Sequence, residues 1–276
     1  MTATKLKEYI RVIRPDYLFN NMEEVCKFTG CSEEFDLRTR FLTSINVLQK
    51  QKFKFIQNER SVYKNFGYGL DFNEGVLRHL MTSELEEGWQ YSEDEIKDIV
   101  DKTDRALNLI GSLQENINYS IDSIVGTFMY AKRRGFGGGG TSDIIGAIWL
   151  SPLKSWTITD YAERIVHEYI HQCLFLDDMV NQIFSNQSAL AMGREDGLVT
   201  SAILKRKRGY DKSFHSAFVT TALMQFNREL GNSSKVHTFY KSALITIDEL
   251  KSKRQFLTNH GFLILDELHQ MVLEFN

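Results

Sequence analysis

Three residues in one short run carry the clearest chemistry: His167, Glu168 and His171, in HEYIH. On a helix, side chains four residues apart lie about 40° apart around the axis and one turn along it. Both imidazoles then point the same way and can hold one metal ion. In zinc peptidases built on this pattern, the glutamate is the general base acting on metal-bound water. Catalytic metal sites usually take three protein ligands and keep positions open for water or substrate. Candidates for the third are Asp177, Asp178, Glu195, Asp196 and His215. Glu195 suits a zinc peptidase with a carboxylate ligand, and His215 completes a three-histidine set. Asp178 falls on the same helical stripe as His171, where it can accept a hydrogen bond from an imidazole. Three protein ligands equally suit a non-haem iron oxygenase, which needs no general base. Spacing alone leaves zinc hydrolysis and iron oxygenation both open.

These residues need a helix and neighbours that hold it. Thr157 and Asp160 cap a long helix that carries Tyr161, Ile165, Val166, Ile170, Cys173 and Leu174 to Asp177 or beyond. Before it, DIIGAIWLSP reads as a strand ending at Pro152. Lys132 to Ser142, KRRGFGGGGTS, reads as a loop, because consecutive glycines weaken helix and strand interiors alike. No GK[ST] follows the glycines and no strand-GxGxxG-helix surrounds them, so a phosphate or dinucleotide loop is excluded. The run is a flexible connection or a mobile lid over the metal. The neighbouring strand can pair with an extended peptide.

The first 130 residues read as mostly helical, with apolar spacing at Phe41, Ile45 and Leu48 and again at Ile96, Ile99 and Val100. Ser92 and Glu95 form a capping box, and an amphipathic stretch covers Asp104 to Asn116. A turn is expected at Asn181 to Gln187. Helices are expected over Leu198 to Lys205, Ser213 to Leu230, Val236 to Lys251 and Gly261 to Leu273, with Phe214, Phe218 and Leu223 in the core. The expected fold is α+β and mainly α, with a small sheet beside the HExxH helix. It is read as one domain over 1–276: a helical part over 1–130, a metal-site part over 131–230 and C-terminal helices over 231–276.

The 276 residues are 42% hydrophobic and 25% charged, enough for a sizeable core. A net charge of −3 gives no footprint for nucleic acid or an anionic membrane. Lys205 to Arg208 has no second basic cluster of its density. The three cysteines, Cys26, Cys31 and Cys173, are too few for a disulfide framework and suit a reducing compartment. Charges scattered through the N-terminus leave no apolar signal core, and no stretch reaches the roughly 20 apolar residues of a membrane span. A cytoplasmic protein is expected.

Several features occur in a telling order: WLSP at Trp149 to Pro152, Trp156, HEYIHQCLFL from His167 to Leu176, Ser201, Arg208, and His215 in HSAF. In that order, the segment from about Gly146 to Glu229 resembles the HExxH-type 2-oxoglutarate-dependent peptide β-hydroxylases. These are HExxH-motif peptide-modification proteins found beside ribosomally made, post-translationally modified peptides (RiPPs). The resemblance covers about a third of the 276 residues. Ile203 and Leu204 stand where that family has a Trp-Arg pair. The resemblance implies a dioxygenase with Fe(II) held by His167, His171 and His215. It also implies 2-oxoglutarate as co-substrate, its distal carboxylate met by a cation, and a precursor peptide as substrate. Arg208 is the first choice of cation, because a guanidinium fork suits a carboxylate; Lys212 and Arg164 are alternatives. Glu168 then supports the site or contacts substrate. Two competitors stand beside this reading: a zinc metallopeptidase with Glu168 as base, and a metal-free peptide-binding module. His79, His237, His260 and His269 receive no role, and nothing in the sequence fixes the oligomeric state.

Overall fold

Helices begin where the sequence supplies caps. The computed structural model describes residues 10–49, 63–65, 88–187 and 194–275. In chain order the elements are α1 (Pro15–Thr29), α2 (Leu37–Leu48), β1 (Tyr63–Asn65), α3 (Glu93–Leu113), α4 (Glu115–Ile124), β2 (Thr127–Tyr130) and β3 (Gly138–Gly139). Then come β4 (Ala147–Leu150), α5 (Ile158–Asn181), β5 (Leu198–Thr200), β6 (Lys207–Gly209), α6 (Tyr210–Glu229), α7 (Ser233–Ser252) and α8 (Asn259–Leu273). Ser92 and Glu95 close both arms of the capping box that opens α3. Asp160 and Thr157 exchange hydrogen bonds at the start of α5, with Thr157 N donating at 2.8 Å and Asp160 N at 3.2 Å. The fold is mainly helical α+β, as expected. The helical reading of the first 130 residues falls partly at 1–9, 50–62 and 66–87, outside the described residues, and so does His79.

The described chain groups into two compact units, Leu18–Leu176 and Met1–Tyr17 with Asp177–Asn276. The unit Leu18–Leu176 holds a mixed sheet in the order β1-β2-β4-β3. β1, β2 and β4 run parallel, with Thr127 opposite Ala147 and Tyr130 opposite Leu150. β3 runs antiparallel to β4, with Gly138 opposite Leu150 and Gly139 opposite Trp149. β2 and β4 are buried along their whole length, as parallel strands covered on both faces are. Part of the glycine run is therefore a strand and not a loop. A strand of two glycines lets the backbone approach its neighbours closely, which outweighs its poor propensity.

In the other unit, α6 is buried on every side from Ser213 to Asn227, and α7 and α8 pack against it. Phe214, Phe218 and Leu223 lie in the core, as expected. The helix expected over Leu198 to Lys205 is instead the first half of a hairpin, β5 paired antiparallel with β6. Lys205 takes a left-handed φ of 53° in its turn. Ser201, a feature of the resemblance, is fully buried and exchanges a hydrogen bond with Ser216 of α6 at 2.9 Å. Glu249 of α7 fastens the two strands, accepting from Thr200 N and from Lys207 Nζ, each at 2.7 Å.

Asp178 does not accept from an imidazole of the HExxH pair. It accepts from Ile183 N at 2.7 Å and Phe184 N at 3.3 Å, folding the chain back after α5. Its neighbour Asp177 is fully buried and accepts from Tyr17 Oη at 2.6 Å and Asn181 Nδ2 at 2.8 Å, with His260 Nε2 at 2.9 Å. Burial alone would raise the Asp177 carboxyl; the His260, Tyr17 and Asn181 contacts outweigh it and hold the group below its usual range. A depressed carboxylate stabilises the fold above its unfolded pKa and loses that contribution as pH falls through the folded value. Asp177→Asn is expected to cost about 2 kcal/mol near pH 7, the range for hydrogen bonds to a charged group. Denaturant titrations of both proteins should show the gap narrowing below about pH 4. Among the described residues, no helix is long and apolar enough to cross a membrane.

Candidate metal centre

The HExxH residues lie in the middle of α5, within the unit Leu18–Leu176. One ligand atom from each of His167, Glu168 and His171 falls within 4.8 Å of the other two. The two imidazole rings are 5.1 Å apart between centroids and tilted by 55°. His171 also stacks on Phe175, one turn further along, at 6.1 Å. The His167 side chain keeps 17% of its exposure, whereas Glu168 keeps 2%. Solvent therefore reaches the histidines, and the carboxylate faces inward.

Glu168 lies on a polar stripe of α5 with Arg164 one turn before it and Gln172 one turn after. Three of the four glycines follow that stripe, and Gly139 faces the Trp149 ring instead. A Cβ on Gly137 would lie 2.8 Å from Arg164 Nη2. One on Gly138 would lie 3.4 Å from Glu168 Oε1, and one on Gly140 2.5 Å from Gln172 Nε2. Gln172 ties the helix to the sheet: its Oε1 accepts from Gly146 N at 2.8 Å, and its Nε2 donates to Ala147 O at 3.3 Å. The glycines thus let β3 lie directly over Glu168. Sequence reasoning missed the part played by Gln172, although its i+4 spacing from Glu168 was a usable signal. Trp149 and Tyr169 are fully buried packing residues, the indole donating to Ala131 O at 3.0 Å.

Burial pushes the Glu168 carboxyl up to about 7, against the opposing pull of Arg164, whose Nη1 stands 3.6 Å from Glu168 Oε1. Burial also depresses His167 well below the usual histidine range, helped by His171 and Arg164. A neutral imidazole is the form that binds a metal. Two neutral-capable imidazoles and a carboxylate within one ion's reach therefore fit a divalent transition metal.

The remaining expected residues belong to the other unit, apart from Arg164. His215 is buried on α6 and stacks on Phe184 at 6.3 Å. Arg208 is half-buried on β6, and Lys212 is exposed on the first turn of α6. Glu195 is exposed in a 3₁₀ turn, beside Asp196, which pairs with Arg194 at 3.3 Å. Arg164, expected as a cation for the co-substrate, is engaged with Glu168. No protein-family model matches the sequence, and comparison with curated proteins finds no match either.

Proposed function

We propose that this protein is a metal-dependent enzyme that modifies a peptide, and within that class an Fe(II)- and 2-oxoglutarate-dependent hydroxylase of a side-chain β-carbon. The observation that carries the metal reading is the His167–Glu168–His171 grouping, partly open to solvent and roofed by an edge strand. The resemblance over Gly146 to Glu229 supplies the preference for iron. When bound, ferrous iron would make O₂ usable as the oxidant for C–H hydroxylation, with 2-oxoglutarate, decarboxylated to succinate, giving two of its four electrons and the substrate C–H bond the other two. His167 and His171 hold and orient the ion. Glu168, fixed by Arg164 and covered by β3, supports the site without acting as a base. Among the described residues β3 pairs on one side only, so its other edge can receive an extended peptide. His215 as third ligand, and Arg208, Lys212 or Arg164 as partner of the 2-oxoglutarate carboxylate, are proposed from sequence order alone.

A second reading, zinc peptidase, is favoured by one observation: a carboxyl raised to about 7 is well matched to accept a proton near neutral pH. Glu168→Gln separates the two. A general base contributes about 10²–10⁴-fold, so a peptidase variant would lose nearly all cleavage. The hydroxylase variant is expected to keep at least about a tenth of its 2-oxoglutarate turnover, since no base is removed. The direct experiment reconstitutes the protein anaerobically with Fe(II), then adds O₂, 2-oxoglutarate and a candidate precursor peptide. A gain of one oxygen on the peptide for each succinate released supports hydroxylation. Zinc-dependent cleavage without 2-oxoglutarate contradicts it.

A further inference from the structure

The parallel strands β2 and β4 end side by side, and the chain segments leaving them, joined by Arg133 N donating to Ser151 Oγ at 2.8 Å, line a cavity of about 810 Å³. Crevices at the carboxyl ends of parallel strands are where open sheets bind ligands, and this volume falls in the range of such sites. Lys132 to Arg134 follow β2, Ser151 to Lys154 follow β4, and the first turns of α3 form the opposite wall. Tyr91, Ile99 and Tyr161 are buried beneath.

The charges in this cavity do not cancel. Glu95 is committed to Lys132 at 2.9 Å, and Asp98 to Lys102 at 2.9 Å. Asp94 faces Lys97 at 3.7 Å, and Arg133 lies over the Phe136 ring at 4.0 Å. Arg134 and Lys154 remain: both are exposed, and their side chains make no ion pair or hydrogen bond among the described residues. Leu153, on the same wall as Lys154, is 60% exposed, and Phe136 beyond the rim is 51% exposed. Two uncompensated cations beside exposed apolar side chains suit a ligand carrying both carboxylates and apolar groups.

We infer that this cavity binds an acidic, partly apolar segment of the peptide substrate, at a distance from the residue that reacts. The inference rests on the reading that the substrate is a peptide, and on no part of the metal chemistry. The connection to the metal centre is the backbone itself. Arg133 and Arg134 lead through Gly137 into β3, and Gly137 O accepts from Ser151 N at 3.0 Å. Gly138 stands opposite Leu150, the last residue of β4, so the start of β3 lies at the cavity end of the sheet. A peptide extended along the edge of β3 that no described residue pairs with, beside Glu168, is thereby led into the cavity. A small dicarboxylate would use the cations but leave Leu153 uncovered.

The test is fluorescence anisotropy on the full chain, treated with chelator, using a short labelled peptide of Glu, Asp and Leu. A counterpart with Lys in place of the acids is the control. The acidic peptide is expected to bind saturably, more weakly as salt rises, and the basic one not at all. Arg134→Glu with Lys154→Glu should weaken binding at least about tenfold, as reversing charges on a binding rim does. Both positions are exposed, and an unchanged circular dichroism spectrum verifies the fold. Leu153→Asp, with both cations kept, should weaken binding as well. Equal binding by the charge-reversed protein, no saturation, or displacement of the peptide by equimolar free glutarate would each overturn the inference. Loss of peptide binding with hydroxylation intact would move the peptide site and spare the reaction. Binding without hydroxylation would spare the site and overturn the reaction.

Discussion

Replacing His171 or His167 with alanine is expected to reduce metal-dependent turnover by far more than the 10–100-fold typical of groups that merely orient a ligand. Each imidazole is one of only two on the α5 face that come within one ion's reach. With either gone, the described residues of this grouping offer one histidine and Glu168, too few for a retained catalytic ion. The fold should survive. Both histidines are partly exposed, and Gln172 bonds α5 to the sheet. Turnover and thermal unfolding should therefore separate: activity falls to background, and the midpoint moves by no more than a few degrees. A large fall in the midpoint would instead make the two imidazoles structural.

Gly138→Ala is the second large effect, and it acts on the roof of the site. The new Cβ would lie 2.6 Å from Trp149 O and 3.0 Å from Leu150 Cδ2. A side chain can turn away, but Trp149 O belongs to a central strand paired on both sides and cannot yield. β3 must lift off β4, at a cost of about 2 kcal/mol, within the range for overpacking a closed site. Lifting it uncovers Glu168 to water. Gly137→Ala makes the matched control, because its Cβ meets the end of the flexible Arg164 side chain. Denaturant midpoints should fall clearly for Gly138→Ala and little for Gly137→Ala. Turnover should fall in both, since the second displaces Arg164 from Glu168.

The sequence was legible where local chemistry decides structure. Ser92 with Glu95 and Thr157 with Asp160 name their helix starts outright, because each side chain satisfies a backbone N–H that the helix leaves open. HEYIH declares a metal face because helical geometry alone aligns its imidazoles. The failures came where short segments are decided by distant partners. Leu198 to Thr200 is too short for period to separate strand from helix, and its strand identity depends on Glu249 and on β6. β2 is buried on both faces and shows no alternation. The glycine run has the wrong propensity for a strand; only the closeness of Arg164, Glu168, Gln172 and Trp149 O explains it. Asp178 sits at the right spacing for an imidazole partner, yet the free N–H groups of Ile183 and Phe184 claim it first.

Metal stoichiometry decides whether the face of α5 that carries His167 and His171 holds an ion. Chelator-treated protein, and a variant with both His167→Ala and His171→Ala, would be titrated with Fe(II) under anaerobic conditions, desalted and analysed for bound iron. One ion per chain is expected in the unaltered protein and none in the variant, with both giving the same circular dichroism spectrum. Equal iron in the two, or no iron in either, would contradict it.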